Sequence, residues 1–316
     1  MNKKSTSNNA LPIIFIHLGN SYYLKYALEC AKRYNPDSRI ILLGKNVTDY
    51  PAFVEKYNIN SFNSFAKRFI QKYKHMSINK PKIERFCFER WFYLTEFLEK
   101  QKIEKCLTLD SDVLLYKNVT KDQLHFKEYD FTLANKVSGG FMFINNIDKI
   151  KDFCNFTYKL YNNKKTLKKM KEFFDKTKNK KIRGMRGIND MYALNLYYKN
   201  NNAKIGDISK VINDTTYDIG IHVSQGMEMK GGIKKIIFKQ GIPYCIRKKD
   251  NKLIRMKSLH MSGPNKFYMK YFLEGRNTKL IQYNVKIKKW LRDYLSPKLN
   301  PKQINFFKKI MKITKM

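Results

Sequence analysis

A chain of 316 residues with 22 Phe, 21 Tyr and 2 Trp is long and aromatic enough to bury a full core, which excludes a disordered chain and a short peptide-like binding module. Its 64 lysines and arginines against 26 acidic residues leave a net charge of +38. A field of that sign draws polyanions, whether nucleic acid, an anionic membrane surface or phosphate-bearing substrates. Five scattered cysteines (Cys30, Cys87, Cys106, Cys154, Cys245) with no CxxC pair indicate neither a disulfide framework nor a zinc site and fit a reducing cytoplasm.

Residues 11–18 read as a buried strand that Gly19-Asn20 breaks, and residues 22–34 carry apolar positions at helical spacing. Asn35-Pro36-Asp37 ends that helix, and residues 39–43 form a second β-rich run closed by Gly44. Strand, helix and strand within about 35 residues is the size of a parallel βαβ unit, a Rossmann-like opening without the GxGxxG fingerprint. The apolar run at residues 11–16 is too short for a signal-peptide core, and no stretch approaches the roughly 20 apolar residues that span a bilayer. The chain is therefore expected to be soluble or peripheral.

A polar stretch at 61–82 leads into a strong helix at 83–100, and residues 105–115 form an apolar strand interrupted by Asp110-Ser111-Asp112. Strands follow at 131–134 and 141–144, then Lys-rich helical text at 147–180 and a short helix at 187–198. Residues 204–261 are β-like with glycine corners, and the tail after Gly263 is basic and helical. In the helix at 83–100, Ile83, Cys87, Leu94 and Phe97 make one apolar face, and Arg90 falls on it. An inward guanidinium needs an anionic partner, either the nucleotide, Asp110 or Asp112, or a structural acid. Trp91 reads as core.

Two carboxylates one residue apart at the end of an apolar strand require compensation, because like charges repel and a buried strand tolerates charge poorly. The carboxyl end of a parallel strand in an open α/β sheet borders the ligand crevice. Hard oxygen donors there suit Mn²⁺ or Mg²⁺, which bridges carboxylate and phosphate oxygens. His260 offers an imidazole ligand, with Ser262 and Gly263 allowing close backbone approach. Asn189 or Asp190 is the expected N-cap of the helix at 187–198.

The segment Leu-Thr-Leu-Asp-Ser-Asp-Val-Leu at 107–114 resembles the DxD strand of GT-A fold nucleotide-sugar glycosyltransferases. Ser-Gly-Gly-Phe-Met-Phe-Ile-Asn at 138–145 resembles the acceptor-side strand of family-8-type transferases, and Leu-His-Met-Ser-Gly-Pro-Asn-Lys at 259–266 is similar to their terminal His-x-x-Gly-x-x-Lys. The resemblance covers roughly residues 11 to 270. It implies a GT-A Rossmann-like mixed sheet flanked by helices in one catalytic domain at 10–270, with a basic helical extension at 271–316. It implies metal ligation by Asp110, Asp112 and His260, and a contact of Lys266 with the diphosphate of a nucleotide-sugar donor, expected to be a UDP-sugar. His17, Gly19 and Asn20, at the end of the first strand, would meet base and ribose, although Gly19 and Asn20 are equally good turn residues. Ser111, Gly263 and Arg90 complete the donor-binding set, and Asp190 with Asn189 would lie beside the reaction centre.

The reaction so implied moves a hexose to a glycan or lipid-linked saccharide acceptor of lipopolysaccharide type, with retention if the family-8 likeness holds. An inverting enzyme needs a general base, for which Asp190 is the choice. The tail at 297–316 reads as a basic amphipathic helix able to dock on the inner face of an anionic membrane or to pack on the domain. The alternatives are a non-catalytic nucleic-acid-binding protein, which leaves the paired aspartates unexplained and lacks any matching motif, and a sugar nucleotidyltransferase using the same cation chemistry.

Overall fold

The computed structural model describes residues 10–179, 187–200 and 203–275, so the expected basic tail beyond Gly275 lies outside the described residues. In chain order the elements are β1 (Ile13–Leu18), α1 (Leu24–Tyr34), β2 (Ile40–Lys45), β3 (Val54–Asn58), α2 (Ser64–Ile70), α3 (Pro81–Lys100), β4 (Cys106–Leu109) and β5 (Val113–Leu115). They continue with α4 (Val119–Asp122), β6 (Phe131–Leu133), β7 (Phe141–Ile144), α5 (Ile147–Asn162), α6 (Lys164–Thr177), α7 (Asp190–Asn200) and β8 (Ile205–Asp207). The last are β9 (Thr215–Thr216), β10 (Met229–Lys230), β11 (Ile233–Lys234), β12 (Ile237–Lys239), β13 (Ile242–Ile246), β14 (Leu253–Met256), β15 (Ser258–His260) and α8 (Met269–Leu273).

The expected class, an α/β Rossmann-like mixed sheet flanked by helices, is what the chain adopts. The central sheet runs β3-β2-β1-β4-β7-β6-β8, parallel from β3 through β4 and antiparallel where β7 joins β4 and β6. Its inner strands β1, β2, β4 and β7 are apolar on both faces because both are covered. Along β1, Ile13 and Phe15 belong to a core with α1, β5 and α8, whereas Ile14 faces a second core with α2, α3, α5 and α7. The same alternation of period two places Leu107 and Leu109 of β4 in the first core and Cys106 in the second.

Several expectations needed correction. The strand expected over 105–115 is two strands in different sheets: the main chain leaves β4 at Asp110, whose N–H donates to Gly140 O (2.8 Å), and turns so that Val113 N donates to Asp110 O (3.1 Å). The stretch at 61–82 is not simply polar connector, since α2 lies within it, and β3 just before it is a third parallel strand. The helical text at 147–180 is two helices, because the Asn163 side chain accepts from Lys165 N and Thr166 N and starts α6 anew. Ile83, placed on the apolar face of α3, is 57% exposed, and Cys87 is only half-buried, since the buried stripe of that helix starts one residue round, at Glu84, and runs through Phe88, Trp91 and Thr95. Leu94, Phe97 and Trp91 are buried as expected. Among the described residues, no helix is long and apolar enough to cross a membrane.

Candidate active site

The turn between β4 and β5 presents Asp110 and Asp112 at the carboxyl end of β4, a central strand of the sheet, beside the end of β1. Strand β5 pairs antiparallel with β15, which sets His260 opposite Val113, and Met261 N donates to Asp112 O (2.8 Å). This ribbon carries His260 across 148 positions of sequence to the two aspartates. His260 Nε2 lies 3.3 Å from Asp112 Oδ1 and 4.0 Å from Asp110 Oδ2. One ligand atom from each of Asp110, Asp112 and His260 lies within 4.8 Å of the other two. After β15, Gly263 at φ +64° opens a 3₁₀ turn, Gly263–Tyr268, with open space where a Cβ would stand. On that turn Lys266 Nζ reaches Asp112 Oδ2 at 3.0 Å and sits 4.9 Å over the Tyr23 ring.

Arg90 binds both sides of the site. Its Nη1 is paired with Asp110 Oδ1, and its Nη2 with Asp190 Oδ2 at 2.7 Å. Trp91 Nε1 donates to the same Asp190 oxygen at 3.2 Å. The inward arginine foreseen on α3 thus holds Asp110 and, beyond the sequence-based expectation, Asp190 as well. Asn189 proves to be the cap: its Oδ1 accepts from Tyr192 N (2.8 Å), fixing the start of α7 so that Asp190 opens the helix. Just before it, Gly187 at φ +113° lies so close to Met76 O, 2.5 Å from its ideal Cβ, that only glycine fits.

At the end of β1, His17 Nδ1 pairs with Ser111 Oγ (2.8 Å) and its Nε2 with Ser21 Oγ (3.0 Å). The first-strand residue and the serine between the aspartates are therefore in contact. Asn20 is tied to Thr48 by two 2.8 Å hydrogen bonds, and Gly19 at φ +72° makes the turn. The turn role foreseen for Gly19 and Asn20 is present in this geometry.

The charges are mutually adjusted. Burial pushes the Asp112 carboxyl up, but the His260 hydrogen bond and the charges of His260 and Lys266 outweigh it and hold the group well below the usual range. Burial pushes His260 down, and the hydrogen bond and charge of Asp112, with Asp110 and Asp218, raise it above its ordinary value. Lys266 loses to burial and gains more from Asp112, ending raised. His17 is lowered to about 4, chiefly by burial and then by Lys266, so it is neutral at pH 7.

Two carboxylates and an imidazole converging on one point are a hard-donor set for a divalent cation. The space is kept open by Gly140, whose ideal Cβ would stand 2.8 Å from Asp110 Oδ2 and 3.3 Å from His260 Cε1. The residues present therefore fit such an ion. A second acidic group, Glu84, Cys87 and Asp190, does not: Glu84 is occupied by Ser77 Oγ (2.8 Å) and Asn79 Nδ2 (2.7 Å). Burial also pushes the Cys87 thiol up to about 12, away from the thiolate a metal needs.

No protein-family model matches the chain, and no curated protein does. Among solved structures it is similar to the galactosyltransferase LgtC in complex with donor and acceptor sugar analogues, at 13% identity and TM-score 0.43, covering 89% of this chain and 99% of that one. It is similar to the bifunctional glycosyltransferase WbbM at 11% identity and TM-score 0.44, covering 90% of this chain and 53% of that one. Mouse xyloside xylosyltransferase 1 follows at 10% identity and TM-score 0.39, covering 65% and 87%. Similarity at this level does not define an activity, which has to be read from the side chains.

Proposed function

We propose that this protein is a metal-dependent glycosyltransferase that moves a hexose from a nucleotide-sugar, preferably a UDP-sugar, to a glycan or lipid-linked saccharide. The observation that carries the reading is the meeting of Asp110, Asp112 and His260 at one end of the β5–β15 ribbon, with Lys266 against Asp112 and Asp190 tied to Asp110 through Arg90. Asp110, Asp112 and His260 would hold Mn²⁺ or Mg²⁺. When bound, such an ion neutralises the charge that develops on a departing nucleoside diphosphate.

The chain's own residues supply the rest. Lys266 carries a positive charge, with its ammonium beside Asp112, and would meet the diphosphate, which supports the reading. Neutral His17, bonded to Ser111 and Ser21, and the turn at Gly19 and Asn20 border the place of base and ribose at the end of β1. Arg90 fixes Asp110 and Asp190 relative to one another, so cation side and sugar side keep one spacing. Asp190 Oδ2 takes donors from both Arg90 and Trp91. A carboxylate so engaged orients a sugar better than it takes a proton, which favours transfer with retention over an inverting mechanism with Asp190 as base.

A panel of UDP-, GDP- and CMP-sugars, with and without Mn²⁺, tests the reading for the wild type and Asp112→Ala. Wild type alone should release a nucleoside diphosphate from one donor, and only with metal. Release of inorganic diphosphate from a nucleoside triphosphate and a sugar 1-phosphate, supplied in place of the nucleotide-sugar, would mark a nucleotidyltransferase instead, and absence of both nucleotide and metal binding would rule out the glycosyltransferase reading.

A further inference from the structure

The backbone of His260 faces two ways. On one side the ribbon with β5 holds its neighbours, through Tyr116 N to Lys257 O (2.8 Å) and Met261 N to Asp112 O (2.8 Å). On the other side, among the described residues, no strand pairs with β15. There, His260 N donates to Asp218 Oδ2 (2.8 Å), and His260 O accepts from Ile221 N (2.9 Å). The turn between these two partners is itself closed on a lysine: Asp218 Oδ1 accepts from Gly220 N (3.1 Å) and is paired with Lys234 Nζ, which also donates to Gly220 O (2.9 Å). Both side chains of the pair are 0% exposed.

A fully buried ion pair is a weak stabiliser, because two desolvation costs offset its attraction, and an apolar pair of similar volume does as well. Its better-attested use is to fix one arrangement among several. We propose that the Asp218–Lys234 pair is the positioning element of the cation site: it holds the His260 backbone so that the imidazole faces Asp110 and Asp112. The inference rests on the reading of Asp110, Asp112 and His260 as metal ligands. Removing groups that hold a ligand in place typically costs 10–100-fold in metal affinity.

A second buried pair supplies an internal comparison. Lys257 Nζ lies 2.9 Å from Asp122 Oδ2, 10% and 2% exposed, at the opposite end of the same short strand. Asp122 Oδ2 also accepts from Tyr217 Oη (2.5 Å), and the hydrogen bonds of this pair do not involve His260.

The test is Mn²⁺ titration of the purified full chain, followed by the electron paramagnetic resonance of free Mn²⁺, with thermal melting alongside. Asp218→Asn should weaken Mn²⁺ binding about tenfold or more. Asp122→Asn should lower the melting temperature while binding Mn²⁺ as the wild type does. Because Asp218→Asn leaves a buried ammonium unpaired, the double variant Asp218→Asn with Lys234→Met is measured as well; it lacks the unpaired charge and should also bind Mn²⁺ weakly. Wild-type affinity in either Asp218 variant, or an equal loss in Asp122→Asn, would overturn the proposal and leave the site reading intact. If the wild type binds no Mn²⁺, or His260→Ala binds it as tightly, the site reading itself fails and takes the inference with it.

Discussion

Gly139 and Gly140 are adjacent, yet adding one methyl to each should break different things. Neither sits at positive φ, so alanine is tolerated by the backbone and only the space decides. At Gly140 the new Cβ would lie 2.8 Å from Asp110 Oδ2, where ordinary contact begins at 3.4 Å. The carboxylate must therefore retreat by about 0.6 Å, while Arg90 holds its other oxygen. Displacement of a reacting or ligating group by about 1 Å can cost on the order of 100-fold, and a disturbed ligand shell 10–100-fold in affinity. Gly140→Ala should thus weaken Mn²⁺ binding and lower kcat/KM for the donor by about 10–100-fold, with little change in Tm. At Gly139 the Cβ would lie 2.4 Å from Trp91 Cη2, inside the core packed on Phe153. Overpacking there costs about 1–3 kcal/mol, a fall in Tm of roughly 2–10 °C; it also shifts the indole that holds Asp190, so donor turnover falls too, while Mn²⁺ affinity, set by Asp110, Asp112 and His260, stays near wild type. Calorimetric Mn²⁺ titration and thermal melting of both variants decide the matter. The reasoning is refuted if the two glycines behave alike, or if Gly140→Ala binds Mn²⁺ normally.

Removal of the bridging guanidinium in Arg90→Met leaves Asp190, 6% exposed, without its cation and should cost about 3–5 kcal/mol of stability, read by urea unfolding. Arg90→Lys keeps the charge but has no second arm, so it should restore part of the stability while donor turnover stays far below wild type. The two site histidines give opposite pH signs. Because the His17 pKa is lowered to about 4 from 6.5, the unfolded chain binds a proton first, and stability falls as pH drops from 6.5 towards 4, by roughly 3 kcal/mol in full. His17→Gln should flatten that limb in a pH series of urea unfolding curves. The folded His260 pKa is raised, so in metal-free protein its pairing with Asp112 stabilises below the unfolded value and is lost as pH rises through the folded one. Metal needs the neutral imidazole. Mn²⁺ affinity should therefore rise with pH across and above 6.5, and His260→Ala should bind weakly with a shallower pH dependence.

The aspartate pair was legible because charge inside an apolar run is costly enough to demand a reason, and Arg90 because helical spacing places it on a face that must be paired. The βαβ opening was legible from two short apolar runs flanking a segment with helical spacing. What was hidden depended in part on partners remote in sequence and in part on composition that reads as loop. Strand β3, Val-Glu-Lys-Tyr-Asn, lies at the edge of the sheet with half of its side chains in solvent, so its composition reads as loop. The division of residues 105–115 into two strands follows from the pairing of β5 with β15, far along the chain. Asn163 looked like one more polar residue in Lys-rich text, and only its cap bonds reveal the helix break. The Asp218–Lys234 pair has no local signal at all, since an Asp before Gly in β-like text is the ordinary composition of a turn.

The most direct test of the central claim is an anomalous difference map, at the manganese edge, from crystals of the wild-type protein grown with Mn²⁺ and UDP. One strong peak is expected between the side chains of Asp110, Asp112 and His260, with the diphosphate between that peak and Lys266. A manganese peak elsewhere, or UDP bound with no peak among those three side chains, would contradict the account.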